Sequence, residues 1–173
     1  LMDLFDNPFY ILNATPRDSR DRLTELFEER SLMLDPNLCS RALSDLTNPR
    51  LRLACEVAWM PGVAPKQVAD MLSKLASSPS DLLSMDNLNA TARSNILAAG
   101  LARQPDEVAS NDASEWILSL AWAFEEIDLE ALRTDINGDR SVAGFTEIND
   151  LVKIEEELQN CRRSFLKVIN SLL

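Results

Sequence analysis

Apolar residues recur every three or four positions along most of this chain, which is the period of a helix that buries one face. Between residues 20 and 34, for example, Leu23, Leu26 and Phe27 fall on the same side of such a helix. No segment alternates apolar and polar residues over the length of a strand. The pattern therefore predicts an all-α protein.

Proline, glycine and asparagine mark where these helices begin and end. Asn7-Pro8, Asp35-Pro36-Asn37 and Pro61-Gly62 are clear breaks, and Gly100 is predicted to cap a helix at its carboxyl end. Predicted helices cover about residues 8–12, 20–34, 38–46, 50–60, 65–76, 86–99, 111–133 and 145–172. We expect residues 135–144 to form a loop, and the two long helices beside it to pack as an antiparallel pair.

The first 56 or so residues carry an ordered series of short motifs. The motifs are Asn7-Pro8-Phe9-Tyr10-Ile11-Leu12, Arg17-Asp18-Ser19, the apolar set Leu23, Leu26-Phe27 and Leu34, and Leu46-Thr47-Asn48-Pro49 with Arg52. In order and spacing they resemble the J-domain, the helical module by which co-chaperones stimulate the DnaK-type heat-shock ATPase. The resemblance implies a J-domain-like helical hairpin in residues 1–62, and a bacterial, cytoplasmic setting. Residues 63–173 are expected to form a helical bundle, either separate from the hairpin or packed with it as one unit.

The loop between the second and third helices departs from the J-domain pattern. Family members carry His-Pro-Asp at this point, whereas this chain has Asp35-Pro36-Asn37. Family members also present lysine and arginine on the second helix to an acidic surface of the ATPase, whereas Glu25 and Glu28 occupy that face here. Because like charges repel across an interface, we expect a J-like fold that does not stimulate a DnaK-type ATPase.

The hypothesis that follows is a non-enzymatic protein-interaction or adaptor module. Its partner would be another protein, either a chaperone or the remainder of a longer chain. By analogy with the J-domain surface, the candidate partner-binding residues are Tyr10, Arg20, Glu25, Glu28, Asp35, Pro36 and Asn37. The main alternative is a functional or competitive co-chaperone of a DnaK-type chaperone.

Charge and composition narrow the classes of function. The net charge is −11, whereas nucleic acids and anionic membranes are bound by clustered cations, so we expect neither as a partner. Histidine is absent, and it is the commonest general base and metal ligand, so we expect no enzyme activity and no cofactor. The three widely spaced cysteines Cys39, Cys55 and Cys161 predict free thiols and a reducing, cytoplasmic location.

The segment from Asp135 to Asp139 is similar to the start of a calcium-binding loop, with oxygen donors at Asp135, Asn137 and Asp139. A loop of the EF-hand type needs glycine at its sixth position and a bidentate glutamate at its twelfth. Here those positions hold Arg140 and Thr146. We therefore expect a turn between helices, and keep a weak calcium-binding helical domain as the second alternative.

Overall fold

The computed structural model describes residues 3–103 and 110–172, and this part of the chain is helical without strands. Its α-helices are α1 (Pro8–Ile11), α2 (Arg20–Ser31), α3 (Pro36–Thr47), α4 (Pro49–Val57), α5 (Pro65–Ser77), α6 (Ala90–Ala102), α7 (Ser110–Glu125), α8 (Leu129–Ala143) and α9 (Leu151–Ser171). Short 3-10 helices lie at Leu4–Asp6 and Pro79–Ser84. The predicted all-α fold is confirmed, and no helix within the described ranges is both long and apolar enough to cross a membrane.

Polar caps start the early helices, as the sequence predicts. The Asn7 side chain accepts a hydrogen bond from the Phe9 amide, and Pro8 follows at the first helical position. Ser19 accepts from the amide of Arg22 at the start of α2. Such caps satisfy backbone N–H groups that have no partner within the helix, and each contributes about 1 kcal/mol.

Helices α2 and α3 form a hairpin, and the name "hairpin" is used below for residues 20–47. The two helices pack against each other and are joined by residues 32–35. At the other end, Nη1 of Arg20 donates to the Thr47 carbonyl at 3.2 Å. Because the start of α2 lies beside the end of α3, the two helices run antiparallel.

The predicted long helix over residues 111–133 is wrong. The chain forms α7 up to Glu125 and starts α8 at Leu129, where the Asp128 carboxylate accepts from the Ala131 amide at 2.7 Å. The predicted loop over residues 135–144 is therefore mostly helix. Leu132, Ile136 and Ala143 recur at helical spacing and are buried, but the Asn, Gly and Asp residues between them conceal that pattern.

The predicted antiparallel pair, between helices over residues 111–133 and 145–172, does not consist of those two helices. Residues 145–150 are not helical, and α9 begins at Leu151 after Asp150, which caps it. Helix α9 packs against α4, α6 and α8, whereas α7 packs chiefly on α6. Residues 144–150 connect α8 to α9, and α8 packs directly against α9. The sequence predicted that a single helix over residues 111–133 would make this contact.

The hydrophobic core continues across residue 62, where the sequence suggests a division between two segments. The main cluster contains Leu4, Leu23 and Leu46 from the first segment and Leu97, Trp116 and Val168 from the second. A second cluster joins α4 to α8 and α9 through Leu53, Val57, Leu132, Ile136, Ile154 and Leu158. The hairpin itself packs on α1 and α4, and α4 in turn packs on α9.

Candidate functional site

The free end of the hairpin exposes large apolar side chains. This end is called the hairpin tip and comprises residues 32–38. Leu32 is 89% exposed and Met33 is 68% exposed, while Leu38 is 38% exposed. Side chains of this size usually avoid water, since burying one stabilises a protein by about 1.5–3 kcal/mol. A cluster of them beside a polar surface is typical of a contact site for another molecule.

The geometry of the tip follows from its proline turn. The Asp35 carboxylate accepts from the Asn37 amide at 2.9 Å and so caps α3. Pro36 occupies the first helical position, where its missing N–H has no cost. Since a residue before proline avoids helical backbone angles, Asp35 separates the two helices, and Leu32 and Met33 project while Leu34 packs on the main core.

The outer side of α2 is acidic, and Glu25, Glu28 and Glu29 are together called the acidic face. All three side chains are exposed. Arg22 forms ion pairs with Glu25 at 2.9 Å and with Glu29 at 3.4 Å. Glu28 forms no ion pair with any described residue, so one arginine accompanies three carboxylates and the face remains negative.

Five of the seven candidate partner-binding residues lie either at the hairpin tip or on the acidic face. Asp35, Pro36 and Asn37 lie at the hairpin tip, and Glu25 and Glu28 lie on the acidic face of the adjoining helix. All five are exposed.

The other two candidates lie elsewhere. Arg20 is at the opposite end of the hairpin, where its guanidinium lies 4.7 Å from the ring centroid of Phe145. The Tyr10 ring packs edge-on against Phe5 at 4.7 Å, beside a cavity of about 90 Å³ that Trp59 also lines. Arg20 therefore lies away from the hairpin tip, and the Tyr10 ring is engaged with Phe5.

A buried ionic network, which sequence reasoning missed, joins α4 to α8. Nε of Arg140 donates to both carboxylate oxygens of Glu56 at 3.0 Å, and its Nη2 donates to Oε1 at 2.5 Å. Both side chains are almost inaccessible to water. Burial raises the pKa of Glu56, while hydrogen bonds from Arg140 and the charge of Arg52 oppose that rise. The pair is thus a buried contact whose two charges depend on each other.

Arg52 extends this network to the hairpin. Its Nη1 donates to the Leu46 carbonyl at 3.2 Å and its Nη2 to the Pro16 carbonyl at 3.0 Å. Its guanidinium lies 3.7 Å from the ring centroid of Phe145, whose ring Arg20 also contacts. Burial lowers the pKa of Arg52. These contacts connect the base of the hairpin, where α2 begins and α3 ends, to Phe145 in the segment that follows α8.

The three calcium candidates do not converge, because all three lie on α8 rather than in a loop. Asp139 is buried and accepts from Nε of Arg17 at 2.9 Å and from the Gly62 amide at 3.0 Å. The Asn137 side chain exchanges hydrogen bonds with the backbone of Ile148 at 2.7 and 2.8 Å. Asp135 lies close to Gly62, and the charge of Asp139 adds to burial in raising its pKa. Within the described residues, no cluster of three acidic or sulfur ligands is placed to hold a metal.

The sequence carries a signal for one of the two buried arginines, Arg52. Arg52 and Glu56 are four residues apart, which places them on one face of α4, and the neighbouring apolar residues put that face inward. Arg140 had no such signal, because its partner lies 84 residues away.

Comparison with protein-family models, with curated proteins and with solved structures finds no match to this chain.

Proposed function

We propose that this chain is a non-enzymatic protein-interaction module that docks its partner on the hairpin tip and the acidic face. The observation that carries the proposal is the exposure of Leu32 and Met33 at the end of a helix whose outer side is acidic. Protein interfaces commonly place a few apolar anchors at the centre and charged residues around them. The hairpin presents such an arrangement on one exposed element.

The charge of this surface selects the chemistry of the partner. The acidic face carries Glu25, Glu28 and Glu29 with only Arg22 beside them, and Asp35 adds a fourth carboxylate at the hairpin tip. A partner with lysine or arginine around an apolar pocket would complement this surface and associate faster through electrostatic attraction. We propose a basic protein surface as the partner.

The resemblance to the J-domain supports the same proposal with a restricted activity. A J-domain acts through the His-Pro-Asp loop and a basic second helix, and this chain has Asp35-Pro36-Asn37 and an acidic second helix in those places. We propose that the hairpin keeps the docking role of the J-domain without stimulating the ATPase. A competitive co-chaperone, which binds a DnaK-type chaperone without activating it, is the second candidate.

The docking proposal is tested by replacing both Leu32 and Met33 with serine. We expect the double variant to lose at least tenfold in the amount of partner captured from a bacterial extract, because it removes both apolar anchors. Val142→Ser is the matched control, since Val142 is 69% exposed on α8 and lies outside the hairpin. Quantitative mass spectrometry of the proteins retained by each immobilised variant gives the measurement.

The expected pattern is a basic protein that is retained by the parent chain and the control, released at high salt, and lost with the tip variant. Charge reversal by Glu25→Lys with Glu28→Lys should weaken the same capture, because it removes the complementary carboxylates. If the tip variant retains the same proteins as the parent chain, the proposed docking surface is wrong.

The restricted activity is tested by steady-state ATP hydrolysis with a bacterial DnaK-type chaperone. We expect less than twofold stimulation by the parent chain, and the same for the variant Asp35→His with Asn37→Asp, since its helix remains acidic. Adding Glu25→Lys and Glu28→Lys to that variant removes the repulsion and should raise hydrolysis. Stimulation by the parent chain that Pro36→Ala abolishes would identify an active co-chaperone instead.

A further inference from the structure

A cavity of about 260 Å³ lies between α4, α6 and α9, on a different part of the molecule from the hairpin tip. Its walls are mainly small apolar side chains. The principal ones are Ala54, Ala58, Ala98, Ala99, Phe165 and Val168. Because alanine extends only one carbon from the backbone, three helices can converge here without filling the space between them.

Cys161 completes the apolar wall on α9. Burial raises the pKa of its thiol to about 12, and the neighbouring Glu157 carboxylate adds to the rise. The thiol is therefore neutral at physiological pH and behaves as a small apolar group.

One carboxylate at this cavity lacks a cation. Glu157 lines the cavity and is partly buried. Its only side-chain hydrogen bond within the described residues comes from Nδ2 of Asn160 at 3.3 Å, and no described lysine or arginine pairs with it. The other carboxylate of the lining, Asp3, is paired with Arg103 at 3.2 Å. The site thus combines an apolar interior with a single unpaired negative charge.

We propose that this cavity binds a small organic amine, with its apolar body against the alanines and its ammonium group beside Glu157. The volume of about 260 Å³ exceeds that of a cavity of about 150 Å³ that holds benzene. It is slightly below the roughly 300–1,000 Å³ of sites for drug-sized molecules. A ligand of about ten non-hydrogen atoms matches this range, and an ammonium group supplies the charge that the site lacks.

The test compares three ligands of similar shape that differ in charge: 2-phenylethylamine, 2-phenylethanol and phenylacetate. Titration of the full chain, followed by NMR chemical shifts of residues around the cavity, gives the dissociation constants. We expect the amine to bind at least fivefold more tightly than the alcohol, and phenylacetate to bind least. Equal affinity of the amine and the alcohol, or no shift with either at millimolar concentration, would overturn the proposal.

Four variants locate the binding. Glu157→Gln should bring the amine to the affinity of the alcohol, because it removes the negative charge and keeps the shape. Glu155→Gln is the matched control, since Glu155 is exposed on the same helix and does not line this cavity. Ala54→Leu should abolish binding of both ligands by filling the cavity. Ala102→Leu, at an exposed position of the lining, serves the same purpose if circular dichroism shows that Ala54→Leu does not fold.

Amine binding that survives both filling variants would place the site elsewhere and contradict the proposal. An apolar segment of a protein partner in this cavity would instead give equal weak binding of all three ligands. Amine binding does not depend on the proposed docking surface, because no residue of the hairpin tip lines the cavity. We therefore expect the variant with Leu32 and Met33 replaced by serine to bind the amine like the parent chain.

Discussion

Replacing Arg140 with methionine should lower the free energy of unfolding by about 3–5 kcal/mol. Methionine keeps much of the volume of arginine but leaves the buried Glu56 carboxylate without the three hydrogen bonds that Arg140 donates to it. The Thr146 carbonyl also loses its donor at 2.8 Å. Breaking one half of a buried ion pair is more costly than removing the pair, because a charge stays behind in a medium that solvates it poorly. Urea denaturation followed by circular dichroism measures the change.

Arg133→Met on the same helix is the control. Arg133 pairs with Glu130 at the surface, where an ion pair contributes only about 0–1 kcal/mol. The double variant Arg140→Met with Glu56→Leu should lose less stability than Arg140→Met alone, since no charge is left unpaired. Equal losses for Arg140→Met and Arg133→Met would show that the buried pair does not stabilise the junction between α4 and α8.

Replacing Gly100 with alanine should destabilise the protein by about 1–3 kcal/mol, even though alanine favours helix by about 1 kcal/mol. Gly100 lies inside α6, so its predicted role as a carboxyl-terminal cap is wrong. A Cβ atom there would lie 2.6 and 2.7 Å from two ring atoms of Trp116 on α7. Trp116 is buried in the main core and cannot move aside without disturbing its neighbours. Glycine is thus needed for the close approach of α6 and α7.

Gly138 is the matched control, and its replacement by alanine should change the stability in the opposite direction. Gly138 lies within α8, and a Cβ atom there would meet nothing within 4 Å. Gly138→Ala should therefore stabilise the protein by about 0.5–1 kcal/mol through helix propensity alone. Trp116→Phe removes the outer ring atoms, so combining it with Gly100→Ala should cost less than the sum of the two single changes. Strict additivity in thermal denaturation would rule out the proposed contact.

The contact between Arg140 and Glu56 supports α4, the helix on which the end of the hairpin packs. The hairpin packs on α1 and α4, and the guanidinium of Arg20 lies on the Phe145 ring, which Arg52 of α4 also contacts. Its tip, in contrast, projects Leu32 and Met33 into solvent. A rigid base with an exposed end suits an element that contacts another protein, because little conformational freedom is lost on binding.

The sequence by itself determined the features that depend on neighbouring residues. Helical spacing predicted the all-α fold, and the polar residues Asn7 and Ser19 predicted where the first two helices begin. The buried positions Leu23 and Leu26 were recognised from their spacing in the same way. The acidic outer side of α2 also follows directly from helical periodicity, since residues three and four apart share a face.

Only the tertiary structure decided the features that depend on distant residues. The break after Glu125 and the helix from Leu129 were missed, because the Asn, Gly and Asp residues of α8 favour turns unless packing against α4 and α9 supports a helix. The inward orientation of Arg140 was missed because Glu56, which compensates its charge, lies 84 residues earlier. Gly100 was read as a helix end because the contact that requires glycine is made by Trp116 on another helix. The spacing of neighbouring residues determines which segments form helices and which face of each helix is apolar. The burial of charged groups and the close approach of two helices depend on distant residues that only the folded chain brings together.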